Sequence, residues 1–227
     1  MKLFPSVEVL AQATNTEVLS ARSGLGYNSR GLRVKQSAEK IVNGWKFPTT
    51  YEDLISLPGV GDYVASAILA FAYNQDIAVI DTNIRRILIH QYTLDEKTSL
   101  KDLKILALEI LPRGYAREWY NALMDYGALE LTAKRSGIRP TTRQSKFEGS
   151  RRQVRAWIVK EIINYKWWII NDVVVVSQNV GADIIRPLTI LDISHRFPDR
   201  DDIQSIVDDL LKENVIEIEN TILKIKN

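Results

Sequence analysis

The sequence predicts a mainly α-helical protein with two patterned regions, the second of which closes with a short β-hairpin. Apolar residues recur at helical spacing over the first 134 residues, and glycines and capping residues divide them into separate helices. A stretch rich in Gly, Pro, Ser, Thr and Arg then separates this region from the remainder. The chain has 227 residues, 45% apolar and 26% charged, which is enough for one sizeable core or two small ones.

The first region consists of one predicted helix after another. "SVEVLAQAT" has apolar residues at i, i+3 and i+4, and "NTEVLSARSG" and "SRGLRVKQSAEKIVNG" each close on a glycine. "TTYEDLISL" opens with the capping pattern Thr50-x-x-Asp53. Further helices are predicted over residues 62–72, from near Asp81, around "LKDLKILALEIL" and over "AREWYNALMDYGALELTAK". Only "IAVI" resembles a strand, and it is too short to build a sheet, so residues 1–134 are predicted to be all-α.

The second region is predicted to combine helices with a hairpin. "RQVRAWIVKEIINY" and "DDIQSIVDDLLKEN" are helical patterns, and "VIEIENTILKIK" alternates around Glu219-Asn220 as two strands do. This order predicts a winged-helix-like α+β domain, a module that usually binds DNA through the helix before the wing. That helix carries Asp208, Asp209 and Glu213 against one lysine, which phosphates would repel. The pattern therefore favours a protein–protein or stabilising module, through which a protein partner or a second copy is expected to bind.

The composition excludes several classes of chemistry. The chain has no Cys, so disulfides, thiolate nucleophiles and Cys-ligated metal clusters are excluded, and its two histidines, His90 and His195, lie far apart. No apolar run is long enough to span a bilayer, and the first residues lack a signal-like apolar core. We therefore expect a soluble, cytoplasmic, nucleoid-associated protein with no membrane contact.

Positive charge is concentrated between Lys134 and Arg152. This segment holds seven Lys or Arg against one acidic residue, Glu148, although the whole chain carries only +2. Such a segment is typical of a phosphate-contacting tract, and a solvated linker is the alternative. The sequence accordingly predicts three parts: a first domain over 1–133, a basic linker over 134–152 and the winged-helix-like domain over 153–227.

The stretch "LISLPGVGDYVASAIL" predicts two helices joined by a glycine-rich turn. Glycine lets the backbone approach a ligand closely, and the turn precedes the N-terminus of a helix, where unpaired N–H groups favour an anion. This arrangement suits a DNA phosphate. A helix–helix connection that needs glycine for its geometry alone is the alternative.

Asp81 follows the apolar stretch "IAVI" and lies 18 residues after Tyr63. Asp is a preferred N-cap, so capping of the next helix accounts for it without any catalysis. Beside a phosphate-binding turn, the same carboxylate suits a catalytic site on DNA. Both interpretations stay open at this stage.

From Phe4 to about Lys134 the chain resembles the helix-hairpin-helix (HhH-GPD) superfamily of DNA glycosylases, and within it the A/G-specific adenine glycosylases (MutY-like). The matching pieces arrive in the family's order and spacing: "FPSVEVLAQA", "GLGYNSRGLRVKQSAEKI", "FPTTYEDLISLPGVGDYVASAILAFAYN", "AVIDTNIRRIL" and "WYNALMDYGALEL". The resemblance implies that residues 1–133 form an HhH-GPD glycosylase domain that binds double-stranded DNA.

The resemblance also implies roles for individual residues. Asp81 matches the family's essential carboxylate, which stabilises the oxocarbenium-like sugar, and Tyr63 stands where bifunctional relatives carry a Schiff-base lysine, so no AP-lyase activity is expected. Tyr27 matches a side chain that enters the duplex. The turn corresponds to the phosphate-binding hairpin, which often holds a monovalent cation. The predicted DNA-binding residues are Tyr27, Arg30, Leu57, Gly59, Val60, Gly61, Arg139, Arg143 and Lys146.

The sequence departs from the family's pattern in three places. The four-Cys iron–sulfur cluster has no ligands here, and basic residues of "ELTAKRSGIRPTTRQSKFEGS" are predicted to take over its contact with DNA. The family's N-terminal helices, with the Glu that protonates the purine, have no counterpart before Phe4. The 8-oxoguanine-reading domain has no counterpart either.

Three functions remain open from the sequence. The first is a monofunctional mismatch-specific glycosylase that removes adenine opposite G or 8-oxoguanine. The second is a thymine- or uracil-DNA glycosylase acting on mismatches with G, because a pyrimidine leaves more easily without the purine-protonating Glu. The third is a non-catalytic DNA-binding or assembly protein, which would have no need of Asp81.

Overall fold

The computed structural model describes residues 3–21, 28–44, 46–141, 145–169, 188–219 and 222–226. Within these ranges the chain is mainly helical, with a single pair of strands near its C-terminus. The helices are α1 (Val7–Gln12), α2 (Asn15–Ala21), α3 (Asn28–Asn43), α4 (Tyr51–Ile55), α5 (Asp62–Phe71), α6 (Thr82–Gln91), α7 (Leu100–Glu109), α8 (Ala116–Leu129), α9 (Ala133–Ser136), α10 (Arg151–Ile169), α11 (Ile190–Arg196) and α12 (Ile203–Lys212); the strands are β1 (Ile216–Glu219) and β2 (Ile222–Ile225).

Short polar side chains define where several helices begin. In six of the described helices the N-cap side chain accepts a hydrogen bond from the backbone N–H three residues later, which satisfies an otherwise unpaired donor. These N-caps are Ser6, Thr50, Asp81, Ser99, Thr132 and Thr189. The helical prediction for the first region is confirmed, and "IAVI" is an extended connection between α5 and α6 rather than a strand.

The chain divides into two compact units that do not follow the order of the sequence. One unit combines Met1–Trp45 with Ser145–Asn227, and the other is Lys46–Gln144. The sequence predicted that residues 1–133 form one domain, whereas the structure assigns residues 1–45 and the following residues to different units. The crossing near residue 144 does fall within the predicted basic linker.

Apolar packing explains why the first helices join the C-terminal part of the chain. Helix α1 has no buried residue, so it brings no core of its own. Leu19 of α2 and Leu32 of α3 instead lie in the same buried cluster as Val154 and Ile158 of α10. Burial of apolar surface is the main favourable term in folding, so the helices associate where their apolar faces meet.

The predicted C-terminal hairpin is confirmed. Strands β1 and β2 are antiparallel, with Ile216 opposite Ile225 and Glu219 opposite Ile222, so two residues connect them. Ile216 and Ile225 are buried, as the alternating pattern requires of the inner face. The winged-helix assignment of this part of the chain stays a prediction.

The Lys46–Gln144 unit has its own core, which positions the candidate site. Ile84 and Leu88 of α6, Leu103 of α7 and Tyr120 of α8 are buried together. Among the described helices, none is both long and apolar enough to cross a membrane.

Candidate functional site

The glycine-rich turn between α4 and α5 is a compact hairpin. The Val60 N–H donates to the Leu57 carbonyl over 3.1 Å, and Gly59 between them has a φ of 78°. With Pro58 second and a positive-φ glycine third, the residues match a type II turn. Leu57 is buried and anchors the turn, whereas Gly59 and Gly61 are exposed.

Neither the backbone conformation nor the packing of the protein requires a glycine at position 61, immediately before α5. Its φ of −98° is open to any residue, and a Cβ built on it would meet no atom within 4 Å. As the N-cap of α5 it has no side chain to accept from the first amides of the helix. The hairpin thus leaves open space beside a helix N-terminus whose amides its N-cap does not cover.

The first residue of α5, Asp62, brings a negative charge to this N-terminus, but that charge is paired. Its Oδ1 accepts from the Tyr51 hydroxyl over 2.8 Å and from the Lys104 ammonium of α7. The hydrogen bond from Lys104 holds the pKa of Asp62 below its usual range, with a smaller contribution from Tyr51 against the opposing effect of burial. Lys104 therefore offsets a carboxylate that would oppose an anion at the hairpin.

Asp81 is the N-cap of α6, so its predicted capping role is confirmed. Its Oδ1 accepts from the Ile84 N–H over 2.6 Å. Among the described residues the other carboxylate oxygen has no hydrogen-bond partner, and Asp81 is half-buried. Capping therefore occupies one oxygen and leaves the second available to a ligand.

Asp81 and Tyr63 line the same pocket, which has a volume of about 690 Å³. Other lining residues include Arg85 of α6, Glu96 and Lys97 of the loop before α7, and Thr141. A volume of this size is within the range of small-ligand sites. The structure therefore brings together the two residues that the sequence predicted as catalytic.

The environment of Tyr63 keeps its phenol neutral. Burial raises the pKa of Tyr63, and the nearby Asp81 carboxylate raises it further. The side chain is still 44% exposed, so a ligand can reach it. A neutral phenol beside a carboxylate can donate a hydrogen bond but cannot form an amine adduct.

The remaining predicted DNA-binding residues are spread over both units. Arg139 is exposed near the pocket, and its carbonyl accepts from Arg85 over 3.4 Å. Arg30 and Lys146 are exposed residues of the unit that combines the two ends of the chain. Tyr27 and Arg143 lie outside the described residues. The contact of these side chains with DNA stays a prediction.

Part of the basic segment is engaged within the protein. Arg151 contacts Asp202 and Asp209 over 2.9 and 2.7 Å, and Arg135 contacts Glu130 over 3.0 Å. The positive charge that this segment offers to a phosphate backbone is therefore smaller than its residue count predicts.

Two arginines of α6 were missed by sequence reasoning. Arg85 lies one helical turn after Asp81, a spacing that places both on one face and could have indicated a shared site. Arg86 is buried and donates to the carbonyls of Leu131 and Gly127, so it joins α6 to the end of α8. Arg86 is a structural residue, whereas Arg85 belongs to the pocket.

No residues of this chain fit an iron–sulfur cluster, because the sequence has no Cys. Within the part of the chain that the structure describes, no group of three or more His, Asp or Glu is placed to hold a metal ion.

The fold is shared with DNA glycosylases. It is similar to a thermostable thymine-DNA glycosylase with a TM-score of 0.52 and 25% identity, over 58% of this chain and 63% of that one. A trapped endonuclease III–DNA covalent intermediate gives a TM-score of 0.52 over 62% of this chain and 65% of that one. Its 15% identity supports the fold alone.

Residues 1–113 match the HhH-GPD superfamily of base excision DNA repair proteins, and the chain therefore belongs to that family. The match crosses the boundary between the two compact units.

The chain is also similar to curated adenine DNA glycosylases. That of Buchnera aphidicola is 32% identical over 57% of this chain and 38% of the relative. That of Mycolicibacterium smegmatis is 32% identical over 67% of this chain and 59% of the relative, and the human protein is 34% identical over 60% and 26%. The chain thus spans between a quarter and three fifths of the length of these relatives.

Proposed function

We propose that the protein is a monofunctional, mismatch-specific DNA glycosylase of base excision repair. The observation that carries the proposal is the carboxylate of Asp81. One of its oxygens has no hydrogen-bond partner among the described residues, and Asp81 lies in a pocket beside Tyr63 in a chain of the HhH-GPD family. A cap alone would not need that pocket.

The hairpin is proposed to hold the backbone of double-stranded DNA. Open space at Gly61 lets a phosphate approach the amides that begin α5, and Lys104 offsets the charge of Asp62. The target base then leaves the stack and its nucleotide enters the pocket. A monovalent cation at the hairpin, and a partner of the C-terminal part of the chain, stay predictions.

In the pocket, Asp81 stabilises the reacting sugar. As the bond between C1′ and the base nitrogen breaks, its electron pair goes to the base and positive charge develops on the sugar ring. An ionised carboxylate next to that charge lowers the barrier. Water then adds hydroxide to C1′, and its proton balances the negative charge of the released base.

Tyr63 limits the reaction to hydrolysis of this bond. A phenol with a raised pKa has no amine that could attack C1′ as a Schiff-base nucleophile. The proposed product is therefore an abasic site in an intact strand, without AP-lyase cleavage.

Adenine opposite G or 8-oxoguanine is the first candidate substrate, because the curated relatives at 32–35% identity are adenine DNA glycosylases. Thymine or uracil opposite G is the second candidate. It is supported by the fold similarity, at 25% identity, to a thymine-DNA glycosylase.

Single-turnover assays on labelled duplexes test the proposal. The duplexes contain A:8-oxoguanine, A:G, T:G, U:G or matched pairs, and each reaction is analysed with and without alkali. We expect strand breaks at one mismatch only after alkali, and their loss in Asp81→Asn. Cleavage without alkali would contradict monofunctionality, and binding without any excision would favour a non-catalytic DNA-binding protein.

A further inference from the structure

The loop between α6 and α7 forms one wall of the pocket and is fixed from within by Asp95. The Lys97 N–H donates to Asp95 Oδ1 over 2.7 Å, and the Thr98 hydroxyl donates to the Asp95 carbonyl over 2.6 Å. This is an Asx turn, in which a short acidic side chain replaces a backbone acceptor. The turn presents Glu96 and Lys97 to the pocket.

Arg85 fixes the same wall from the opposite side. One arm of its guanidinium donates to the Glu96 carbonyl, and another donates to the Arg139 carbonyl over 3.4 Å. These two acceptors lie in separate segments of the chain. The segment of Glu96 contributes Lys97 to the pocket lining, and the segment of Arg139 contributes Thr141. The planar fork of arginine suits two acceptors in a way that a lysine ammonium does not.

The location of Arg85 connects these walls to Asp81. It lies four residues after Asp81 on the same helix, and both line the pocket. A charged side chain that binds two loop carbonyls next to a candidate catalytic carboxylate sets the distance between the walls and that carboxylate. Catalysis depends steeply on such distances, since a displacement of about 1 Å can cost on the order of 10²-fold in rate.

We propose that Arg85 is a positioning residue that holds the Glu96–Thr98 turn and the Arg139–Thr141 segment against Asp81, and so seats the target nucleotide for excision. The inference rests on the proposed glycosylase function and adds a residue that acts through the pocket walls. Asp95 acts on the same turn from its other end.

A double-mutant cycle between Arg85→Met and Asp95→Ala tests the inference. In the single-turnover assay on the excised mismatch, Arg85→Met is expected to lower the maximal rate by about 10- to 100-fold. The protein concentration for half-saturation should change by less than about threefold, because the hairpin is untouched. Arg85→Lys should recover part of the rate, and Arg113→Met, which removes an exposed charge from the same unit, should match the wild type.

Asp95→Ala carries the test even where Arg85→Met is poorly folded, because Asp95 is exposed and lies outside α6. It should lower the rate in the same direction, and Asp95→Asn, which keeps the acceptor oxygen, should restore it. The double variant should be no slower than Arg85→Met alone, since coupled residues are not additive.

The possible outcomes separate this inference from the proposed function. A wild-type protein that excises no base overturns both. If the wild type is active, three results would overturn the inference alone. They are a full excision rate in Arg85→Met, an unchanged rate in Asp95→Ala, and additive effects of the two substitutions in the double variant.

Discussion

Asp81 and Asp202 occupy equivalent positions in the two compact units but have opposite environments. Each is the N-cap of a helix, α6 and α12 respectively. Asp81 accepts one backbone hydrogen bond and faces a pocket. Asp202 makes no capping bond, and its oxygens instead accept from Arg151 over 2.9 Å and from Arg200 over 2.6 and 2.7 Å. The same residue at the same helix position is thus open in one unit and saturated in the other.

Other carboxylates at the C-terminal end of α12 are also paired with arginines, which explains the acidic composition of this helix. Arg151 and Arg155 of α10 pair with Asp209 and Glu213 respectively. Pairs at the surface contribute little individually, but a network that joins two helices also fixes their register. Between the two interpretations of the acidic helix, these contacts favour a stabilising module. The comparison shows that packing decides which N-cap carboxylates are occupied by arginines and which face a pocket.

The largest expected effect is the loss of catalysis in Asp81→Asn. Asn is as good an N-cap as Asp, so it can still accept from Ile84 and thermal stability should change little. Loss of the negative charge removes the stabilisation of the sugar, which costs on the order of 10²- to 10³-fold in single-turnover rate. Asp202→Asn should show the reverse, with an unchanged rate and a lower melting temperature. Equal losses of rate in both variants would break the comparison.

A smaller effect is expected from Lys104→Met, which removes the positive charge that offsets Asp62 at the hairpin and leaves only the hydrogen bond from Tyr51. The exposed carboxylate should repel DNA, so duplex affinity should fall several-fold, and Asp62→Asn in the same background should restore it. Fluorescence anisotropy over a range of KCl concentrations measures this. Lys101→Met removes an equal charge from the same helix and serves as the control. An equal loss in the control would show a general charge effect instead.

The smallest effect is expected in the acid stability of the Asp202 network. The hydrogen bond from Arg200, more than that from Arg151, lowers the pKa of Asp202. A lowered pKa stabilises the fold fully above the unfolded Asp pKa of about 3.9, and this stabilisation is lost as the pH falls through the folded value.

Asp202→Asn should therefore unfold at lower urea than the wild type at pH 7, and the difference should narrow below about pH 4. Urea midpoints at pH 7, 4 and 3 measure this, with Asp199→Asn, an exposed neighbour outside the network, as the control. A difference that stays constant with pH would show that the network does not act through the charge of Asp202.

The elements that depend on near neighbours in the chain could be predicted from the sequence. Thr50 and Asp81 cap the helices that their patterns indicated, and the C-terminal strands pair with each other as their alternating pattern indicated. The hairpin from Leu57 to Gly61 and the proximity of Asp81 to Tyr63 also follow from short-range patterns and from the family resemblance. Capping, turn geometry and apolar periodicity act over a few residues, so a sequence displays them directly.

Only the tertiary structure shows which segments share a core and which charged side chains form ion pairs. Leu19 and Leu32 pack with α10 because their apolar faces are complementary, which no local pattern records. Arg85 reaches a carbonyl 54 residues away, and the arginines of α10 find carboxylates more than 50 residues away. Such contacts depend on how helices pack in three dimensions. The chain's own sequence therefore determined the candidate carboxylate. Within the described part of the chain, packing decided that one oxygen of Asp81 has no protein partner, whereas arginines bind Asp202.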